Sequence, residues 1–176
     1  MRLHLTATQY AELRTNLFGT PERLAFLFLH QVPCDAEPWA VAHTSEVRLL
    51  DPSDYVRRNR HGVELAEHVR PALIHTAHQH GYAVVEAHAH DRPRPSTRFS
   101  PIDLDGLEQL GPHMTWRLPG RPYTAMVLGP DSFDALQWHP DGKVTAIKAL
   151  VVDGEHTAPT GISANDLARI TLGNAR

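Results

Sequence analysis

The stretch Leu24-Ala25-Phe26-Leu27-Phe28-Leu29 constrains the chain most. It is apolar throughout and too short for an unbroken helix, so it reads as a buried strand. A second apolar run, Tyr82-Ala83-Val84-Val85, follows Gly81 and leads into Glu86-Ala87-His88-Ala89-His90. Strand side chains alternate between faces, so His88 and His90 point the same way, with Glu86 in the same parity.

Other elements arrange themselves around these two runs. Thr6-Ala7-Thr8-Gln9 fits a capping box, with Tyr10, Leu13 and Leu17 at helical spacing and Gly19 as a stop. Pro33 to Pro38 reads as a turn, Trp39 to Leu50 as a strand, and Asp51-Pro52-Ser53-Asp54 as a breaker. Val63, Ala66, Val69, Leu73 and Ala77 predict helical structure over 63–78, kinked or split into two pieces at Pro71. The segment 91–99 is rich in proline and arginine and reads as a loop, and Asp103 to Leu110 as a short helix. Pro122 to Leu128, Phe133 to Trp138 and Val144 to Val152 read as three strands, with a turn at Pro140-Asp141-Gly142 between the last two. The tail 153–176 holds a short helix starting near Ser163. This order implies an α/β fold, a mixed sheet flanked by helices.

The length of 176 residues suits one domain spanning 1–176. A net charge of −3 gives no electrostatic reason to expect nucleic acid or an anionic membrane as partner. The single cysteine, Cys34, excludes an internal disulfide framework and a cysteine-based zinc knuckle. No apolar run is long enough to span a bilayer, and the N-terminus lacks the pattern of a signal peptide, so a reducing cytoplasm is the expected compartment.

With 13 histidines in the chain, any one of them is weak evidence of a site. The pattern around His88 is more demanding. Ser100-Pro101-Ile102-Asp103 follows His90 after nine residues and reads as a helix start: a capping serine, proline at the first helical position and an acid at the third. A helix N-terminus holds its carboxylate rigidly, so capping and metal binding by Asp103 are compatible. Two imidazoles and one carboxylate match the ligand count of a catalytic zinc, whose fourth corner is left to water. The second histidine cluster, His75, His78 and His80, has no carboxylate or thiolate near it in sequence and reads as a solvated helix end.

His88-Ala89-His90 with Ser100-x-x-Asp103 resembles the signature of the JAMM metalloproteases, the catalytic branch of the Mov34/MPN/PAD domains. Asp91 stands where the family usually has proline, and the spacer is one residue longer than usual; neither departure removes a ligand. The resemblance implies the MPN/JAMM fold, itself similar to that of cytidine deaminases, although one cysteine rules out the deaminase ligand set. It implies one Zn2+ per chain held by His88, His90 and Asp103, Glu22 as general base, and Ser100 assisting the tetrahedral intermediate. Glu86 is the rival base. The implied reaction cleaves a peptide or isopeptide bond after the C-terminal glycine of ubiquitin or a ubiquitin-like protein, maturing a precursor or removing the modifier from targets. The implied setting is a stand-alone bacterial enzyme beside activating and conjugating enzymes of an antiviral defence operon. The alternatives are a non-catalytic MPN-like scaffold and a 2-His-1-carboxylate iron enzyme. The 91–99 loop is expected to border the substrate channel, with Arg92, Arg94 and Arg98 adding positive charge beside the site.

Overall fold

The computed structural model describes residues 1–19, 21–32, 38–59, 62–90 and 97–173, the last four by backbone alone. In chain order they form β1 (Arg2–Leu5), α1 (Ala7–Leu17), β2 (Ala25–Gln31), β3 (Val41–Leu49), a single 3-10 turn (Pro52–Asp54), β4 (Tyr55–Asn59), β5 (Gly62–Leu65) and α2 (Val69–His80). There follow β6 (Ala83–Ala89), α3 (Pro101–Arg117), β7 (Tyr123–Leu128), β8 (Phe133–Trp138), β9 (Val144–Ala146), β10 (Ala149–Val152), β11 (Glu155–Thr157) and α4 (Ile162–Gly173). Nine strands make one mixed sheet in the order β11-β10-β1-β3-β2-β6-β7-β8-β9, and β4 pairs with β5 in a separate hairpin. The α/β class expected from the sequence is therefore present. The expected turn at 33–38 falls mostly outside the described residues.

Strand β2 is apolar from Ala25 to Leu29 because both faces of that stretch are covered. Leu27 and Leu29 turn toward one core with Leu3, Leu5, Val85, Ala87 and the α1 residues Leu13 and Leu17. Phe26 and Phe28 turn toward the other, with Val84, Tyr123, Leu73 of α2, and Leu104 and Met114 of α3. The Thr6 capping box closes as the sequence predicts, with Gln9 N donating to Thr6 Oγ1 at 3.2 Å and Thr6 N donating to Gln9 Oε1 at 3.0 Å. Gly81 ends α2 in the left-handed conformation at φ 69°.

The structure corrects three expectations. The stretch 63–78 is a strand and a helix: Val63 and Leu65 lie in β5, and α2 begins only at Val69. Val63-Glu64-Leu65 alternates with period two as well as fitting period 3.6, and pairing with β4 decides between them. Pro71 then falls at the third helical position, where its missing N–H has no intrahelical partner to lose, so no kink is needed. The strand over 144–152 is also two: β9 pairs with β8, whereas β10 pairs with β1 near the far end of the sheet order. Only Ile147 and Lys148 separate them, so the sheet must curl to bring these regions together, and Lys148 N donates to Met1 O at 2.7 Å. Finally, α3 runs past Leu110 through Gly111 and Pro112 to Arg117.

Gly111 explains how α3 seats so closely. A Cβ there would stand 2.3 Å from Trp138 Cε2, so the helix packs its backbone against the indole. Gly111→Ala should destabilise the fold by about 1–3 kcal/mol through overpacking, measured by denaturant unfolding. An unchanged midpoint would mean that Trp138 moves aside without penalty.

Candidate metal centre

His88 lies near the end of β6 and His90 one residue beyond it. His90 N donates to Leu128 O at 2.9 Å, which extends the pairing with β7 past the strand end and fixes both imidazoles on one face. His88 is buried, and its ring packs against Phe99 at 5.6 Å between centroids.

The opposite wall is the start of α3. Ser100 Oγ accepts from Asp103 N at 3.2 Å, and Asp103 Oδ2 accepts from Ser100 N at 2.7 Å. The same Oδ2 lies 3.7 Å from His88 Nε2 and 3.5 Å from His90 Nε2. Glu22, in the segment before β2, brings Oε1 to 4.0 Å from His88 Nε2. These separations exceed hydrogen-bond length. His88 Nε2 is shielded from solvent and has no hydrogen-bond partner among the described residues.

Glu22, His88 and His90 each offer a ligand atom within 4.8 Å of the others, so this group could hold a metal ion. Burial resists ionisation of Asp103, but the two imidazoles and Ser100 outweigh it and hold the carboxyl far below the usual carboxylate range. Burial would lower the His88 pKa, yet Asp103, then Glu22 and Glu86, raise it above the ordinary imidazole value. Metal ligation needs the neutral imidazole, so a cation at His88 competes with protonation.

These residues line a cleft of about 1090 Å³, together with Ser100, Ile102 and Arg70. Glu86 also reaches the cleft, but its carboxylate is engaged. Arg70 donates to it from Nη1 at 2.7 Å and Nη2 at 3.4 Å, and Tyr123 Oη donates at 3.1 Å. Burial, followed by the Glu86 charge, pushes the Tyr123 pKa well up, so its hydroxyl remains a donor.

The sequence reading missed Arg70, Tyr123 and the support behind Ser100. Phe99 N donates to Ser163 Oγ at 3.0 Å, which pins the residue before the cap to α4. The start of α4 is in turn held by Asp134, whose Oδ2 accepts from Ser163 N at 2.8 Å and Oδ1 from Gly161 N at 3.1 Å. An acid inside the apolar run Phe133–Trp138 was the available signal, since a buried carboxylate must find donors.

His78 is not merely a solvated helix end. Its Nε2 bonds Arg117 O at 2.6 Å and its Nδ1 faces Arg121 Nη2 at 3.1 Å, which ties α2 to the C-terminal end of α3. Cys34, Arg92 and Arg94 lie outside the described residues. Among the described residues, no helix is long and apolar enough to cross a membrane.

No family model matches this chain, and no curated protein does. Among solved structures, it is similar to protein DSY2949 from Desulfitobacterium hafniense, with 15% identity, 87% of this chain and 94% of that one covered, and a TM-score of 0.47.

Proposed function

We propose that this chain is a zinc-dependent peptidase or isopeptidase of JAMM type. The observation that carries the reading is the meeting of Glu22, His88, His90, Ser100 and Asp103 in one cleft, from three separate segments of the chain. The buried Nε2 of His88, between two carboxylates and without a hydrogen-bond partner among the described residues, suits a cation.

Two carboxylates compete to be the third ligand, and distance favours Asp103. Its Oδ2 stands 3.5 Å and 3.7 Å from the two Nε2 atoms. Donors about 2.0–2.1 Å from a tetrahedral zinc lie roughly 3.4 Å apart. Glu22 at 4.0 Å falls outside that edge and is left for proton transfer.

Zinc held there would polarise the scissile carbonyl and lower the pKa of the attacking water. Glu22 takes that water's proton and returns it to the leaving amine. The Ser100 hydroxyl already accepts from Asp103 N, so its own hydrogen is free to donate to a developing oxyanion. Asp103 and the histidines remain fixed throughout by the helix cap and the strand. The substrate in this reading is the tail of a ubiquitin-like protein, as precursor or conjugate, and activating and conjugating enzymes are its partners in a cytoplasmic pathway. Gly19, Gly62 and Gly106 along the cleft leave room for a narrow, glycine-ended chain.

His88, His90 and Asp103 would also suit iron in a 2-His-1-carboxylate site. Elemental analysis separates the readings: about one zinc per chain is expected. His88→Ala and Asp103→Ala should each lower that content, and a ubiquitin-like C-terminal amide should be cleaved by the wild type alone. Iron in place of zinc supports the oxygenase, and no metal even after zinc addition supports a scaffold.

A further inference from the structure

Outside the cleft, the sheet gathers a second set of imidazoles. His4 of β1 stands opposite His43 of β3, and His43 stands opposite His30 of β2. Three adjacent strands therefore present histidine in one cross-strand row. The His4 and His43 rings stack at 4.6 Å, with 13° between their planes, and the His43 and His30 rings lie 5.7 Å apart. His30 and His43 are exposed and His4 is half-buried. Two strands beyond His4, His156 of β11 lies on the same cross-strand line, with Val151 of β10 between them.

We propose that His4, His43 and His30 form a surface binding site for a divalent transition metal of the copper, nickel or zinc class.

The donor chemistry sets that class. Imidazole nitrogen suits these borderline ions, whereas magnesium and calcium need oxygen ligands. A feature of the backbone supports a ligand role for His30. The register of β2 against β3 shifts between Phe28 and Leu29, which leaves Ser45 as the extra residue of a bulge. Bulges re-aim side chains, and here Ser45 Oγ meets His30 Nδ1 at 2.7 Å. In the tautomer whose Nδ1–H donates to Ser45 Oγ, Nε2 carries the open lone pair, the arrangement common to metal-ligating histidines. Burial, then His43, His156 and Arg2, lower the His4 pKa, so its lone pair is free at neutral pH.

The three rings stand side by side rather than around a common point. Coordination needs neighbouring nitrogens roughly 3 Å apart, given bonds of about 2.0 Å. The exposed rings of His43 and His30 reach that by rotation about their side-chain torsions, a fast motion for exposed groups. The row is separate from the cleft, so the inference does not depend on the proposed hydrolase.

Titration with copper(II), followed by electron paramagnetic resonance, tests it. Wild type should bind one equivalent more than His43→Ala, and the signal lost should carry coupling to several nitrogens. Ser45→Ala should weaken that equivalent roughly tenfold. His75→Ala, which alters an exposed imidazole elsewhere, should retain it. Equal stoichiometry in wild type and His43→Ala would overturn the proposal. So would an equal loss in His75→Ala, which would indicate adventitious binding to any surface histidine. Circular dichroism on each variant keeps misfolding apart from ligand loss.

Discussion

Glu22→Gln should retain its metal and lose hydrolysis by roughly 100- to 10,000-fold, the usual contribution of a positioned general base. The amide matches the carboxylate in shape but cannot accept the proton. Glu22 Oε1 is 4.0 Å from His88 Nε2, close enough to serve a water in the cleft, and in the proposed arrangement Asp103 takes the third ligand place. The loss should fall on kcat with KM little changed, because the interaction removed belongs to the transition state. Glu86 cannot substitute while Arg70 and Tyr123 occupy its oxygens. Activity on a ubiquitin-like amide, read beside zinc content, decides the matter. Loss of activity in Glu86→Gln with Glu22→Gln intact would reassign the base.

The parts of the site that were readable from sequence are those encoded by short-range rules. The common face of His88 and His90 follows from strand alternation, and the placing of Asp103 follows from a helix cap within four residues. The run Leu24–Leu29 shows its burial directly, because a strand covered on one side only would alternate. What escaped the reading depends on partners chosen at long range. Val144 to Val152 keeps one apolar pattern while its pairing passes from β8 to β1. Arg2–Leu5 is too short to stand out before its neighbours β10 and β3 are known. Nor does the local sequence say that Ser163 supports Phe99 across 64 positions. Apolar spacing puts Arg70 in the middle of a helix over 63–78, whereas α2 begins at Val69 and the Arg70 guanidinium reaches the carboxylate of Glu86.

That ion pair gives the largest expected effect on stability. Arg70→Met should destabilise the fold by about 3 kcal/mol, the low end for breaking a buried pair. The Glu86 side chain is only 11% exposed, and without Arg70 its charge would keep a single donor among the described residues, Tyr123 Oη. The low end applies because Arg70 keeps 32% of its own side chain in solvent, where water screens the attraction. Adding Glu86→Gln to Arg70→Met should recover much of the loss, since a neutral amide is far less costly to bury and still accepts from Tyr123. Denaturant unfolding of the two single variants and the double variant closes the cycle and isolates the pairwise coupling. The same variants report on the site. Glu86 shares a strand face with His88 two residues on, so a carboxylate freed from Arg70 adds negative charge beside the imidazole. Zinc content should survive in Arg70→Met while stability falls, because none of His88, His90 and Asp103 is altered. A loss below about 1 kcal/mol would class the pair with exposed ion pairs and mean that water already reaches Glu86 from the cleft.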